Sequence, residues 1–254
     1  MSGTTKVALI TGASAGLGVE FARQLSKRGH RLVLVARRKD RLEALAAELG
    51  NARAVAVDLA ESSSAAKLLS EIEAAGEQTE LLVNNAGFGL KGPFAELDAA
   101  RLRQMIDLNI GSLTYLCRAV APGMIERRSG AILNVASTAA FQPGPNMAVY
   151  FATKAYVLSF TEALHEELKP HGIKVTALCP GPTKTEFGAV AGFAGRGAFD
   201  RFAADAASVV HAGLNALDKN RAVVVPGLLN KLGVASTRFV PRALVRKIAG
   251  AIKY

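Results

Sequence analysis

A glycine-rich loop joins an apolar segment to a helical one close to the start of the chain. Apolar residues 7–10 lead into Thr-Gly-Ala-Ser-Ala-Gly-Leu-Gly at 11–18, a helical pattern follows at 19–27, and a second apolar segment occupies 31–36. Such a loop alone is often only a turn, but strand, loop, helix and strand in this order match a βαβ unit. The unpaired amide groups at the helix start would then meet an anion, which predicts a phosphate-binding site.

The same alternation of apolar and amphipathic segments continues along the chain. It predicts seven strands, at 6–10, 31–36, 53–57, 81–84, 131–136, 174–178 and 222–225. It also predicts helices at 16–28, 38–49, 62–75, 98–127, 149–170 and 205–217. Pro122 should kink the fourth helix or end its first part. We therefore predict a single α/β, doubly wound Rossmann-type domain over 1–226, with a seven-stranded parallel sheet and helices on both faces.

The composition fits one enzyme-sized domain. The 254 residues are 50% hydrophobic, which is ample for a large core. The start of the chain is short and polar before the first strand, and no segment reaches the length of a membrane span, so we expect a cytoplasmic protein. Cys117 and Cys179 lie in apolar segments and predict buried free thiols. The four histidines lack metal-ligand spacing, so no metal site is expected.

A tyrosine and a lysine lie four residues apart in the predicted helix over 149–170. Tyr150 and Lys154 share one side of that helix, and Ser137 follows the fifth predicted strand. A lysine ammonium favours phenolate and so lowers the pKa of a tyrosine. A general acid or base at neutral pH needs a decrease of about 3 units, more than one lysine provides. Ser137 and a cationic cofactor could supply the rest, whereas this spacing alone is more often an ordinary surface pair.

Further short motifs follow the predicted strands in order. Asp58-Leu59 follows the third, Asn84-Asn85-Ala86-Gly87 the fourth and Pro180-Gly181 the sixth, and Asn109 lies in the fourth helix. Together with the glycine loop, the serine and the Tyr-x-x-x-Lys pair, they make the chain resemble the short-chain dehydrogenase/reductase family over nearly its whole length. The resemblance implies an enzyme that interconverts a carbonyl and an alcohol by hydride transfer with a nicotinamide dinucleotide.

The resemblance also implies residue roles. The catalytic residues would be Ser137, Tyr150, Lys154 and Asn109. Tyr150 would protonate the carbonyl oxygen that Ser137 holds, and Lys154 would lower the pKa of Tyr150 and bind the nicotinamide ribose. Asn109 would hold a water linked to the lysine, although it could also be a helix-bending polar residue. The cofactor would contact Gly12, Ser14, Ala15, Gly16, Leu17, Gly18, Arg37, Arg38, Asp58, Leu59, Asn85, Ala86, Gly87, Tyr150, Lys154, Pro180, Gly181, Thr183 and Thr185.

Two arginines stand where the second predicted strand ends. An NAD-dependent enzyme would place a carboxylate there for the ribose 2'-hydroxyl, but the chain has Arg37 and Arg38, and its next acidic residue is Asp40. Guanidinium groups suit a dianionic phosphate, which favours NADP(H). Solvated residues at a helix start are the alternative, although cations are unfavourable there.

Positive charge accumulates in the basic extension, which we define as residues 227–254. It contains six lysines and arginines and no acidic residue, within a chain of formal net charge +10. Leu244, Val245, Ile248 and Ile252 follow helical spacing, so we predict a basic amphipathic helix. Such a helix could pack on its own domain or another subunit, or bind an anionic membrane surface, an acidic carrier protein or a coenzyme A phosphate. A protein peripheral to the membrane is one outcome.

The substrate region is apolar. Residues assigned to it are Phe88, Leu90, Phe141, Met147, Phe187, Val190, Phe193, Phe199 and Phe202, which favours a hydrophobic ketone, aldehyde or 3-oxoacyl group, unless the phenylalanines are core or subunit contacts. A non-catalytic dinucleotide sensor or a membrane-associated regulator on the same fold is the alternative to an enzyme. The high pI alone does not indicate nucleic-acid binding, and we predict none. The family resemblance implies a homodimer or homotetramer.

Overall fold

Seven parallel strands form one sheet in the computed structural model, which describes residues 4–192 and 203–251. The strands are Thr5–Thr11 (β1), Arg31–Ala36 (β2), Ala52–Ala56 (β3), Glu77–Asn84 (β4), Ala131–Val135 (β5), Lys174–Leu178 (β6) and Val223–Val224 (β7). Their order across the sheet is β3-β2-β1-β4-β5-β6-β7. All seven predicted strands are confirmed, with ends that shift by a few residues. The order reverses direction between β1 and β4, where such sheets open a ligand crevice at their carboxyl edge.

Helices cover both faces of the sheet, as predicted. They are Gly16–Lys27 (α1), Lys39–Leu49 (α2), Ser64–Ala74 (α3), Ala99–Ile106 (α4), Leu113–Arg127 (α5), Ala148–Leu168 (α6), Phe187–Val190 (α7), Ala206–Asp218 (α8), Leu228–Ser236 (α9) and Arg242–Ala251 (α10). Short 3-10 turns occupy Phe94–Glu96, Thr138–Phe141 and Lys169–His171.

The alternation of side chains along β1 shows how the two layers form. Val7 and Leu9 join a core that also contains buried residues of α3, α5 and α6. Ala8 and Ile10 point to the other face and join a core with residues of α1, α2 and α8. Successive strand residues face opposite sides, so a strand buried on both faces is apolar throughout. The short apolar segments of the sequence are therefore central parallel strands.

The long fourth helix of the sequence prediction is interrupted, but not at its proline. A π-helical segment at Asp107–Ser112 separates α4 from α5, and α5 continues through the exposed Pro122 to Arg127. The predicted end of a helix at Pro122 is therefore wrong, and the predicted kink there stays a prediction. Asn109 lies inside the π-helical segment and is buried. Such segments insert one extra residue per turn and often occur at functional sites.

The basic extension contains α9, which the sequence pattern did not predict, and α10, which it did. Val245 and Ala249 are the buried residues of α10, whereas Leu244 and Ile248 are exposed. The predicted apolar stripe therefore packs only in part, and Ile252 lies outside the described residues. Among the helices that the structure describes, none combines the length and apolar character needed to cross a membrane.

Candidate active site

A cavity of about 640 Å³ opens at the carboxyl edge of the sheet, where the strand order reverses. Its lining contains most of the residues that the sequence assigned to catalysis or to the cofactor. They are Gly12, Ser14, Ala15, Gly16, Leu17, Arg37, Arg38, Asp58, Leu59, Asn85, Ala86, Gly87, Ser137, Tyr150, Lys154, Pro180, Gly181, Thr183 and Thr185. The two assigned residues outside the lining are Gly18 and Asn109, which lie behind it.

The glycine loop has a shape that only glycine permits at three positions. Gly12 and Gly16 have φ values of 66° and 54°, in the left-handed region. A Cβ on Gly18 would lie 2.1 Å from the carbonyl oxygen of Gly12, so this residue allows the first turn of α1 to pack on the loop. Ala15 caps α1 without a side-chain hydrogen bond. The amide groups at the start of α1 therefore face the cavity without a side-chain acceptor, which fits a pyrophosphate.

Asn85 and Thr11 hold the glycine loop against the end of β4. The Asn85 amide nitrogen donates to the carbonyl oxygens of Thr11 and Gly12 at 2.9 and 3.1 Å. In return, the Thr11 hydroxyl accepts from the backbone amides of Asn85 and Ala86, both at 3.0 Å. These four bonds fix the loop geometry. They agree with the expected supporting role of the Asn85–Gly87 motif.

The two predicted phosphate-binding arginines differ in their surroundings. Arg38 donates to the hydroxyl and the carbonyl oxygen of Ser14, both at 3.2 Å, and pairs with Glu186 at 2.9 Å. Arg41 donates to the other Glu186 oxygen at 2.6 Å, and the two guanidinium groups lower the pKa of Glu186. Arg37 is largely exposed and has only a 3.8 Å contact with Asp58. Arg37 is therefore the arginine available for a phosphate, whereas Arg38 shapes the loop.

The end of β3 forms one wall of the cavity. Asp58 accepts a hydrogen bond from the backbone amide of Ala60 at 3.0 Å and is partly exposed. Leu59 is buried, and its carbonyl oxygen accepts a hydrogen bond from the Ser112 hydroxyl at the end of the π-helical segment. The end of β3 therefore presents a carboxylate and an apolar side chain to the cavity.

Ser137, Tyr150 and Lys154 come together from β5 and α6. Ser137 follows β5, and its hydroxyl accepts from the Ala139 amide at 3.1 Å and donates to the carbonyl oxygen of Pro180 at 3.4 Å. Lys154 lies one helical turn after Tyr150, with its ammonium nitrogen 5.9 Å from the centre of the tyrosine ring. That ammonium donates to the carbonyl oxygen of Val135 at 2.8 Å. Tyr150 and Lys154 are both buried and both line the cavity.

Burial, rather than the lysine, controls the protonation of the tyrosine in this structure. It raises the pKa of Tyr150 to about 12, and the hydrogen bond with Ser137 opposes that increase only in part. It also lowers the pKa of Lys154 to about 8. The sequence expectation that the pKa of Tyr150 is lowered does not hold for these protein groups alone. The reason is that the buried phenolate loses more solvation than its neighbours return.

Asn109 supports the catalytic residues from behind. Its side-chain oxygen accepts from the Phe88 amide at 3.1 Å, and its side-chain nitrogen donates to the Phe88 carbonyl oxygen and the Thr153 hydroxyl at 3.0 and 3.1 Å. Thr153 in turn donates to the carbonyl oxygen of Tyr150 at 2.7 Å. A Cβ on Gly87 would lie 3.0 Å from the Asn109 oxygen and 3.6 Å from the Lys154 nitrogen. Asn109 therefore links the Gly87–Phe88 wall to α6.

The loop after β6 closes the side of the cavity opposite β3. The carbonyl oxygen of Pro180 accepts from the Thr138 amide at 2.9 Å, which joins this loop to the segment that carries Ser137. Thr183 donates to the carbonyl oxygen of Gly181 at 3.0 Å. The Thr185 side chain lies against Gly16, where an added Cβ would be 3.0 Å away. Both threonines therefore reach the cavity, one of them beside the glycine loop.

An apolar wall surrounds the tyrosine. The rings of Phe187 and Tyr150 are 5.4 Å apart, and both rings lie around Gly89 together with the Met147 methyl group. Phe88 also lines the cavity and carries the Arg101 guanidinium over its ring at 4.9 Å. Phe88, Met147 and Phe187 are thus in the predicted substrate region. Leu90 and Phe141 are outside the lining, and Phe193, Phe199 and Phe202 lie outside the described residues.

Sequence reasoning missed some residues of the site. Glu186 pairs with two arginines that precede it by more than 140 residues, and no local pattern indicates such a contact. Other missed lining residues are backbone or apolar contributors: Val35, Ala36, Val57, Leu108, Val135, Ala136, Thr138, Ala139, Gln142, Phe151 and Pro182. Most of them lie at or near the ends of predicted strands, whereas Leu108 and Phe151 lie in predicted helices. Within 4–192 and 203–251, no cluster of three or more His, Cys, Asp or Glu side chains could hold a metal ion.

Comparison with known proteins agrees with this geometry. The family model described as short chain dehydrogenase matches residues 6–192. The chain is 37% identical over 187 residues to the NADP-dependent 3-hydroxy acid dehydrogenase of Salmonella typhi, covering 72% of this chain and 75% of that protein. It is 34% identical over 180 residues to the very-long-chain 3-oxoacyl-CoA reductase of Bos taurus, covering 68% of this chain and 58% of that protein.

Among solved structures, the short-chain dehydrogenase from Sphingobium yanoikuyae in complex with NADPH matches with a TM-score of 0.80 and 35% identity. The match covers 98% of this chain and 99% of that chain. The family model spans most of the sequence, and the matched range contains all of the residues that line the cavity. The chain therefore belongs to the short-chain dehydrogenase family.

Proposed function

We propose that this enzyme is an NADP(H)-dependent oxidoreductase that interconverts a carbonyl and an alcohol on a hydrophobic ketone, aldehyde or 3-oxoacyl substrate. One observation carries the proposal: a buried tyrosine beside a serine hydroxyl stands between a phosphate-type glycine loop and an apolar wall. The relatives support the cofactor, because one is named NADP-dependent and a solved structure holds NADPH. The name of the bovine relative supports an acyl substrate.

The protein groups suit a proton transfer to a carbonyl oxygen. NADPH, when bound, would supply the hydride for the carbonyl carbon. Tyr150 donates its phenolic proton to the carbonyl oxygen, and Ser137 donates a hydrogen bond to that oxygen. Tyr150 carries its proton at neutral pH and can donate it, although burial raises its pKa and makes it a weaker acid than a free phenol. Lys154, charged below about pH 8, stabilises the phenolate left after the transfer.

Different residues of the cavity would bind different parts of the cofactor. The open amides at the start of α1 would bind the pyrophosphate, and Arg37 would bind the 2'-phosphate. Asp58 would contact the adenine and Lys154 the nicotinamide ribose. Thr183 or Thr185 would contact the carboxamide and the phosphates. Arg38 contributes indirectly, because it holds Ser14 in the loop.

A substrate panel tests the reaction. Ketones, aldehydes and 3-oxoacyl thioesters of increasing chain length are assayed with NADPH by loss of reduced-cofactor absorbance. We expect kcat/KM to increase with apolar length, because each buried methylene contributes about 0.8 kcal/mol. Tight NADPH binding with no turnover on any class would favour the sensor function instead. Higher activity on small polar carbonyls would contradict the hydrophobic substrate.

Replacement of Arg37 tests the cofactor preference. Arg37→Asp removes a charge-assisted hydrogen bond to the phosphate and adds repulsion, so the NADPH-to-NADH ratio of kcat/KM should fall by about 10- to 100-fold. Fluorescence titration of each reduced cofactor should show the same change in Kd. Arg41→Asp is the matched control, because Arg41 pairs with Glu186 and lies outside the cavity lining. An unchanged ratio in Arg37→Asp would remove this arginine from the proposal.

The exposed sides of α5 and α6 support the proposed homodimer or homotetramer. Tyr115 and Tyr156 are both more than one third exposed, and Tyr156 stacks on Phe160 at 5.6 Å. A two-fold axis would bury this aromatic surface against its copy. Sedimentation velocity should show a smaller species for Tyr115→Arg than for the parent chain. An unchanged sedimentation coefficient would place the interface elsewhere.

A further inference from the structure

The basic extension exposes apolar side chains to an unusual degree. Six of the ten large hydrophobic side chains that are exposed in the described chain lie in this extension. Leu228 and Leu229 are 71% and 72% exposed and lie on α9 with Leu232. Phe239 is 86% exposed, and Leu244 and Ile248 follow one helical turn apart on α10. Exposed apolar side chains that follow one another at helical spacing indicate an interaction surface.

The charges around these side chains have one sign. Lys231, Arg238, Arg242, Arg246 and Lys247 are all exposed, and none of their side chains pairs with another described residue. The extension contains no aspartate or glutamate that could neutralise them. By contrast, the arginines of the body are often paired, as Arg23 is with Glu48 and Arg53 with Glu77. The extension therefore presents cations and apolar groups together.

We propose that the basic extension docks on an anionic membrane surface. Exposed leucines and phenylalanine would enter the boundary between head groups and acyl chains, while the basic side chains contact acidic head groups. A second copy of the chain is a poor occupant, because a two-fold contact would bring the same cations together without any acidic partner.

The inner side of the extension is packed against the body beside the cavity. The Asn230 side chain lies on Gly181, where an added Cβ would be 2.4 Å from its oxygen, and Gly181 lines the cavity. Gly250 lies close to Pro145, in the loop between the lining residues Gln142 and Met147. A docked extension would therefore hold the substrate side of the cavity close to the lipid. That consequence for substrate entry rests on the proposed function, whereas docking itself does not.

Sedimentation of the full chain with lipid vesicles tests the proposal. Vesicles of phosphatidylcholine alone are compared with vesicles that also contain phosphatidylglycerol, without substrate and with NADPH fluorescence as the check of folding. We expect binding to the anionic vesicles, at least about tenfold weaker binding to the neutral ones, and loss of binding as salt increases.

Two variants separate the apolar and the charged contributions. Leu228→Ser with Leu229→Ser and Leu232→Ser removes three exposed leucines, and Arg238→Gln with Arg242→Gln and Arg246→Gln removes three charges. Each should weaken the partition by at least about tenfold while NADPH binding is kept. The matched control is Lys27→Gln with Arg31→Gln and Lys67→Gln, which removes three exposed charges from the body and should bind vesicles like the parent.

Three outcomes would overturn the proposal. Equal binding to neutral and anionic vesicles would remove the charge argument. Binding that depends on the arginines but not on the leucines would mean that the exposed leucines do not enter the lipid, and the proposed insertion would fail. Dissociation of an oligomer by the leucine variant, measured by light scattering, would assign the apolar surface to a second copy. None of these outcomes depends on turnover, so they are separate from a failure of the proposed function.

Discussion

Two polar clusters lie at the carboxyl half of the sheet and differ in how fully hydrogen bonds compensate their groups for burial. The sheet cluster contains Asn84, Asn134, Cys117 and Thr161. The Asn84 amide donates to the Asn134 oxygen at 2.9 Å and to the cysteine sulfur at 3.2 Å, and the Asn134 amide donates to Thr161 at 3.0 Å. The Thr161 hydroxyl in turn donates a hydrogen bond to the carbonyl oxygen of Val157 at 2.5 Å. The network is closed and away from the cavity lining.

The catalytic cluster of Ser137, Tyr150 and Lys154 opens onto the cavity, with Tyr150 and Lys154 buried and Ser137 partly exposed. Its groups titrate far from their ordinary values, with the pKa of Tyr150 raised to about 12 and that of Lys154 lowered to about 8 by burial. Buried groups without full compensation cost stability, and such groups concentrate at functional sites. The comparison suggests that one cluster stabilises the fold and the other performs chemistry at some cost in stability.

The largest effect is expected from a substitution that disrupts only the catalytic cluster. Tyr150→Phe removes the acidic proton and should reduce kcat/KM by about 1000-fold or more, because general acid catalysis contributes about 100- to 10,000-fold and no other tyrosine of the described residues lines the cavity. NADPH affinity and the midpoint of thermal unfolding should change little, since the ring stays in place. Steady-state kinetics, cofactor titration and calorimetry measure the three quantities.

The control for this change lies on the same helix. Tyr156→Phe removes an identical hydroxyl, which bonds Thr114 at 2.9 Å at an exposed position, and should leave kcat/KM unchanged. If Tyr150→Phe retained more than a tenth of the parent activity, the tyrosine would not be the proton donor.

Much of this architecture can be predicted from the sequence, because its signals are local. Strands buried on both faces give short apolar segments, and the glycine loop needs three residues without a Cβ within one helix start. Ser137 could be placed because it directly follows a strand, and Tyr150 and Lys154 because they are one helical turn apart. Residues at the ends of parallel strands meet at one edge, so the order of motifs predicts their meeting.

What could not be predicted depends on contacts that have no periodic signal. The pairing of Glu186 with Arg38 and Arg41 changes which arginine is free, yet it joins distant parts of the chain. The π-helical segment around Asn109 repeats neither the helical nor the strand period, so it appeared as ordinary helix. Helix α9 was missed because its leucines face outward, whereas helix prediction from apolar spacing assumes a buried face.

A smaller effect is expected from breaking the sheet cluster. Asn134→Ala leaves the Asn84 amide without its oxygen acceptor, removes the donor to Thr161 and opens a cavity, so the free energy of unfolding should fall by about 3 kcal/mol. Activity per folded molecule should stay within about twofold of the parent, because the network does not line the cavity. Urea unfolding and kinetics well below the unfolding temperature measure the two.

Thr161→Val tests a smaller perturbation of the same cluster. It keeps the side-chain size but removes the acceptor of the Asn134 amide, so it should lower the free energy of unfolding by about 1 kcal/mol. If instead Asn134→Ala abolished turnover at unchanged stability, the sheet cluster would belong to the active site, and the division between the two clusters would fail.

The smallest expected effect is a pH dependence of the free energy of unfolding that arises from Lys154 in the catalytic cluster. At neutral pH, Lys154 is charged in both the folded and the unfolded chain, and its burial costs stability. Its pKa in the folded chain is about 8, against 10.5 for a free lysine side chain. Between these two values the unfolded chain holds a proton that the folded chain lacks, so stability increases with pH in this window. The neutral variant Lys154→Met lacks this contribution. Its stability advantage over the parent should therefore shrink by about 1 to 3 kcal/mol from pH 7 to pH 10.

Urea unfolding of both proteins at several pH values measures this difference, in which titrations common to both chains cancel. The same substitution at Lys67, which is exposed on α3, is the matched control and should give no comparable shrinkage. The difference in the free energy of unfolding between Lys154→Met and the parent could instead stay constant from pH 7 to pH 10. That result would mean that burial does not destabilise the charged form of Lys154. The catalytic cluster would then be as well satisfied as the sheet cluster, and the cost in stability assigned to the active site would have to come from Tyr150 or from elsewhere.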